Sequence, residues 1–138
     1  MKHFKMGLIG LGARGLSLYK LAIAERDYVE IVGVCDRYED RAEAAAKSVR
    51  GYQDSEPLVT QDYHDILDIP GIDCVLVATD WNQHLNVSQA ALKKGIAVAC
   101  EVGAAYAIED LWSLVNTYER TKTPFMMMEN CCFGRKEL

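Results

Sequence analysis

The segment Met6-Gly7-Leu8-Ile9 runs directly into Gly10-Leu11-Gly12-Ala13-Arg14-Gly15, a G-x-G-x-x-G that leaves a strand-like run and opens a helical one. Few patterns restrict a fold as much, because each glycine has its own physical task. Gly10 permits a tight turn, Gly12 lets the backbone approach a pyrophosphate, and Gly15 lets the helix pack closely on the strand. An anion held there sits on a helix N-terminus, where unpaired N–H groups and the macrodipole supply positive potential. Asp36 stands twenty-one positions beyond Gly15, at the end of the next strand-like run, and in such folds a ribose-binding acid is expected about 20 residues on. Its carboxylate is expected to accept ribose hydroxyls and to repel a 2′-phosphate, which favours NAD over NADP, while the neighbouring Arg37 works against that preference. The competing reading gives the glycines only a turn to make and Asp36 only a helix to cap.

The rest of the chain repeats the same alternation. Apolar runs at Phe4 to Gly10, Glu30 to Asp36, Cys74 to Asp80, Ile96 to Glu101 and Phe125 to Glu129 read as short buried strands, with a further short strand at Leu58 to Thr60. Helical patterns lie between them at Arg14 to Glu25, Tyr38 to Val49, Gln83 to Lys94 and Ile108 to Arg120, with a brief helix near Tyr63 to Leu67. This order predicts an α/β fold, a doubly wound parallel sheet of the Rossmann type. In the last helix Ile108, Leu111, Trp112, Val115 and Tyr118 share one face, so Trp112 is expected in the core. Met126, Met127 and Met128 are read as strand packing.

With 138 residues, 50% of them hydrophobic and 25% charged, the chain has the size and composition of a single ordinary globular domain. The net charge of −5 is the wrong sign for a surface that neutralises nucleic-acid phosphates or anionic membranes, so neither is expected as a partner. The five cysteines, Cys35, Cys74, Cys100, Cys131 and Cys132, are odd in number and lack C-x-x-C spacing. They read as reduced core thiols of a cytoplasmic protein, with no metal site among them. Met1 to Lys5 carries no apolar stretch of the kind a secretory signal needs.

Together with the glycine motif, Gly33-Val34-Cys35-Asp36, Val75-Leu76-Val77-Ala78-Thr79, His84 and Ala90-Ala91-Leu92-Lys93-Lys94-Gly95 make the chain resemble the N-terminal domain of the Gfo/Idh/MocA oxidoreductases over nearly its whole length. That resemblance implies an NAD-binding Rossmann domain at residues 1–130, with 131–138 beginning the connection to a C-terminal domain that binds a sugar substrate. Typical sugar dehydrogenases of the family carry Glu-Lys-Pro where this chain has Glu101-Val102-Gly103, so the lysine linked to hydride transfer is missing. Thr79-Asp80-Trp81-Asn82-Gln83-His84, Glu101-Val102 and Met126 to Cys132 instead look like the glycoside hydrolase family 109 branch, NAD-dependent α-N-acetylgalactosaminidases. Those enzymes use the cofactor catalytically with no net redox change, outside the usual two-carboxylate scheme.

Carried over by position, the resemblance implies NAD contacts at Ala13, Arg14, Asp36, Trp81 to His84, Glu101, Val102 and Asn130. The residues themselves add Gly10, Gly12, Gly15, Arg37 and Thr79, all near the carboxyl ends of expected strands, where open α/β sheets bind ligands. Trp81 and His84 have an alternative reading as packing at the start of a helix, Glu101 as a loop acceptor, and Asn130 as a turn residue. The catalytic acid and base are expected in the C-terminal domain. Two alternatives accompany the glycosidase: an NAD-dependent sugar dehydrogenase, and a cofactor-binding module without catalysis. Without the second domain, an apolar face is expected to be left uncovered and to promote self-association.

Overall fold

The computed structural model describes residues 4–131. Six parallel strands, β1 (Phe4–Ile9), β2 (Val29–Cys35), β3 (Leu58–Thr60), β4 (Cys74–Val77), β5 (Ala97–Cys100) and β6 (Phe125–Met127), form one sheet in the order β3-β2-β1-β4-β5-β6. The chain winds outward from β1 in one direction and from β4 in the other. A crevice therefore opens between the carboxyl ends of β1 and β4, where the winding reverses. The glycine motif leaves β1 at that point.

Alternate side chains of the strands feed two cores. On one face Leu8, Ile31, Val34 and Leu76 pack with Tyr19, Ala45, Ala46 and Val49 from α1 (Ala13–Leu18) and α2 (Glu39–Arg50) or their continuations. On the other face Ile9, Cys35, Val75, Val77 and Val98 meet α3 (Tyr63–Leu67), α4 (Trp81–Lys93) and α5 (Ile108–Thr121) through Ile66, Leu67, Val87, Leu92 and Leu114. The alanine-rich stretch expected to be helical is α2, whose Ala42, Ala45, Ala46 and Val49 are fully buried. Small side chains let that helix lie close on the sheet.

Several expectations change. The helix expected over Arg14 to Glu25 is α-helical only to Leu18 and continues as a π-helical turn, Tyr19–Ile23, that seats Tyr19 in the core edge-on to Tyr52. A single inserted backbone register of this kind leaves no trace in apolar spacing. On α5 the apolar stripe faces outward: Ile108 and Trp112 are 68% and 63% exposed, and Leu111, Val115 and Tyr118 are also exposed. Leu114 and Thr117, about a third of a turn away, make the contact with the protein, and Thr117 joins Gln89 of α4. Trp112 is thus not core. Met126 and Met127 are likewise exposed, because β6 is the sheet edge and nothing described covers it. Met128 alone of the three packs against a core.

Cys35, Cys74 and Cys100 are buried free thiols, and burial pushes them up to about 12, about 12 and about 11. Cys131 is exposed, contrary to the core reading, while Cys132 and the rest of the expected 131–138 connection lie outside the described residues. Among the described residues no helix is long and apolar enough to cross a membrane, and no cluster of His, Cys, Asp and Glu has the makings of a metal site.

Candidate functional site

A cleft of about 500 Å³ lies at the carboxyl ends of β1, β2 and β4. Of the residues expected to contact NAD, Gly10, Gly12, Ala13, Arg14, Asp36, Arg37 and Thr79 line it. Backbone ladders run past the strand ends to fix its walls: Gly10 N–H donates to Cys35 O (2.9 Å), Ala78 N–H to Ile9 O (2.8 Å) and Glu101 N–H to Val77 O (2.9 Å).

The three glycines of the motif are not equivalent. Gly10 has φ +88°, and a Cβ there would lie 2.3 Å from the Thr79 backbone nitrogen. At Gly15 a Cβ would lie 2.0 Å from Gly10 O. Internal packing therefore requires both. Gly12 has φ −63° and ψ −174°, which any residue adopts, and a Cβ on it would meet nothing nearer than Arg41 Nη1 at 3.8 Å. The missing side chain at Gly12 faces the cleft, where only a ligand would use the space. Gly12 is also the N-cap of α1, without a side-chain cap and with no acid in the first turn, so N–H donors remain for that ligand.

Asp36 is buried, and both carboxylate oxygens already accept backbone hydrogen bonds. Leu11 N–H donates to Oδ2 at 2.7 Å and Tyr38 N–H to Oδ1 at 2.9 Å. The residue thereby ties the glycine turn to the end of β2. Each oxygen keeps a second lone pair, so ribose hydroxyls can still be accepted. Beside it, Arg37 Nη2 donates to the Tyr38 hydroxyl at 2.7 Å, and Arg37 Nη1 lies 3.6 Å from Asp80 Oδ2.

Arg14 leaves the glycine loop toward the ends of β5 and β6. Its Nε donates to Glu101 Oε1 at 2.9 Å, and its Nη2 reaches the same oxygen at 2.9 Å and Asn130 Oδ1 at 3.3 Å. Three expected site residues from three distant segments thus meet. Val102 N–H also approaches Glu101, at 3.4 Å from Oε2. The expected sixth strand ends earlier, at Met127, so Asn130 belongs to the following loop.

Gly15, Glu101, Val102 and Asn130 do not line the cleft itself, and neither do the remaining two candidates, His84 and Trp81. His84 is 1% exposed and its Nε2 bonds Thr79 O at 3.0 Å, which fixes the loop between β4 and α4 and leaves no face for a ribose. Trp81 opens α4 on the rim, half-exposed, with its ring laid over Gly103; a Cβ there would lie 2.3 Å from Trp81 Cε2. Tyr106 joins it at a centroid distance of 5.5 Å. Sequence reasoning missed Tyr38, Arg41, Gln61, Tyr63 and Asp80 as lining residues, whereas Gln83, which also lines the cleft, lies within the expected Trp81 to His84 segment. Tyr38 and Arg41 carried a signal, lying within about a turn after Asp36; Gln61 and Tyr63 carried none.

The Streptomyces filamentosus glycosyl hydrolase family 109 protein is 37% identical over 97% of this chain, and that match spans 28% of the relative. A family 109 protein of Phocaeicola vulgatus is 36% identical over 100% of this chain and 26% of its own length. The chain thus spans little more than a quarter of these curated relatives. Among solved structures, an NAD-binding protein from Listeria innocua superimposes with a TM-score of 0.81 at 28% identity, covering 98% of this chain and 38% of that one. Scyllo-inositol dehydrogenase from Lactobacillus casei, solved with NAD(H) and scyllo-inositol, shares the fold with a TM-score of 0.84 at 20% identity, over 97% of this chain and 38% of that one. The family model of the oxidoreductases with an NAD-binding Rossmann fold matches residues 4–129, and the chain belongs to that family, Gfo/Idh/MocA.

Proposed function

We propose that this chain is the cofactor domain of a glycosidase that uses NAD catalytically on a sugar substrate, with no net redox change. The observation that carries the cofactor half is Gly12, whose backbone needs no glycine and whose neighbours leave the space of a side chain open toward the cleft. Within the cleft the N–H groups of the loop after Gly12 receive the diphosphate, and the free lone pairs of Asp36 accept the adenosine ribose hydroxyls. Arg14 positions Glu101 and Asn130 at the ends of β5 and β6, toward the nicotinamide side. His84 holds the Thr79 carbonyl and with it the β4 wall. When bound, NAD supplies a hydride acceptor and donor.

The glycosidase half rests on Val102, which stands where dehydrogenases of the family carry lysine, and on the family 109 relatives. The sugar-binding groups and the acid and base are assigned to the part of the polypeptide that those relatives have beyond this span. A dehydrogenase would accumulate reduced cofactor with a free sugar; the glycosidase releases sugar from an α-N-acetylgalactosaminide while the NADH signal stays flat. For the domain itself, NAD at 100 times its dissociation constant is expected to stabilise against unfolding by about 2.7 kcal/mol. Gly12→Val is expected to lose that gain, and an equal gain in the variant would overturn the reading. Asp36→Ala is the poorer control, because it also removes two backbone hydrogen bonds.

A further inference from the structure

We infer that Trp81 and Tyr106 form a stacking platform for a second sugar ring, the pyranose that adjoins the reacting one in the glycoside. This rests on the glycosidase reading above and deepens it. Both aromatics stand beyond the carboxyl ends of β4 and β5, and neither lines the dinucleotide cleft. Trp81 is 47% and Tyr106 69% exposed, with ring centroids 5.5 Å apart and planes inclined at 50°. The pair makes a bent aromatic wall open to solvent.

The wall is braced from behind. A Cβ on Gly103 would lie 2.3 Å from Trp81 Cε2 and 2.7 Å from both Cδ2 and Cζ2. Cδ2 and Cε2 form the fusion bond of the indole, which a neighbour approaches so closely only through a face of the ring. One face of Trp81 therefore rests on the backbone at Gly103, whose φ of +85° favours glycine. A flat side chain braced in this way loses little freedom when a ligand covers its open side.

A pyranose offers what such a wall needs, a face of C–H groups bordered by hydroxyls. Asp80, Asn82 and Gln83, exposed at the start of α4, supply acceptors and amide donors for those hydroxyls. This polar surround sets the rim apart from the α5 stripe, where apolar side chains neighbour one another. Gly103 follows Glu101 by two residues, on the side assigned above to the nicotinamide. A ring stacked through its C–H face cannot also present those hydrogens to a hydride acceptor, so the platform takes the adjoining ring.

The test is a nuclear magnetic resonance titration of the full chain with an α-N-acetylgalactosaminyl-galactose disaccharide, with and without NAD. It follows the indole N–H signals of the two tryptophans and saturation transfer to the sugar protons. The Trp81 signal is expected to shift while that of Trp112 stays, with transfer strongest at the galactose C–H groups. Tyr106→Ala and Trp81→Ala are each expected to raise the disaccharide dissociation constant at least about fivefold, with Trp81→Phe recovering part of the loss. Thermal melts of each variant separate this from unfolding. Absence of sugar binding, equal shifts of both indoles, transfer confined to the N-acetylgalactosamine ring, or affinity that survives both alanines overturns the platform. An equal loss of NAD affinity in the alanine variants assigns the rings to the nicotinamide and also overturns it. Failure of NAD alone, with the sugar result intact, overturns the cofactor reading and leaves the platform standing.

Discussion

The crevice between β1 and β4 and the outer face of α5 are both surfaces that the sequence marks, and they differ in what sits against them. In and around the crevice the marked polar groups are engaged: Asp36 by two amides, Arg14 by Glu101 and Asn130, and, behind the wall, His84 Nε2 by Thr79 O. On α5 five apolar side chains lie in one stripe and are exposed. Polar groups specify partners by geometry, so a preorganised site is recognisable even when empty of contacts to anything else. An apolar stripe specifies only that something should cover it.

The sharpest way to break this comparison is within the glycine loop. Gly15→Ala is expected to cost about 3 kcal/mol or more, because its Cβ would lie 2.0 Å from Gly10 O in backbone that cannot retreat. Gly12→Ala is expected to leave stability within about 0.5 kcal/mol while weakening dinucleotide binding at least about tenfold. Denaturant melts with and without NAD read both; equal stability losses would remove the distinction between structural and ligand-facing glycines.

Next in size is the two-sidedness of α5. Leu114→Ala, at a position 6% exposed, is expected to cost about 2–4 kcal/mol, whereas Leu111→Ala, 41% exposed, costs under about 1 kcal/mol. Reversal of that order in urea melts would mean the stripe is covered after all. A smaller effect tests the stripe itself. The full chain is expected to self-associate at high concentration in sedimentation velocity, and Trp112→Glu to reduce that with a change in stability of under about 0.5 kcal/mol. A wild-type chain that stays monomeric would remove the stripe as a contact surface.

The least effect at neutral pH comes from the three buried thiols. Their protons are held up to about 11–12 in the fold against 9.0 for the ordinary thiol, so the open chain releases them first. Stability is therefore undiminished below about pH 9 and falls as pH rises from there through 12. A thiol reagent is expected to modify exposed Cys131 quickly and Cys35, Cys74 and Cys100 only as the chain opens. Fast reaction of all described cysteines in the native protein would contradict the burial.

Strand and helix order was readable because alternating apolar runs and helical periods are local, and all six expected strands occur, with ends shifted by a few residues. The site was readable in part. Gly10, Gly12, Gly15 and Asp36 announce themselves by spacing, whereas Arg41 became a cleft residue only because α2 turns its first winding toward the loop. Trp112 was misplaced for a definite reason: a period of 3.6 identifies which residues share a face, and it carries no information about which neighbour that face meets.

The sequence by itself determined the glycine turn, the acid at the end of β2 and the alternation that makes a parallel sheet, since each follows from backbone sterics and periodicity within a few residues. Only the tertiary structure decided that Asp36 spends its oxygens on Leu11 and Tyr38, that Arg14 meets Glu101 and Asn130 across separations of 87 and 116 residues, and that α5 turns its apolar stripe outward. Those contacts join segments that are remote in the chain, and no local pattern encodes where the winding of a sheet will bring them together.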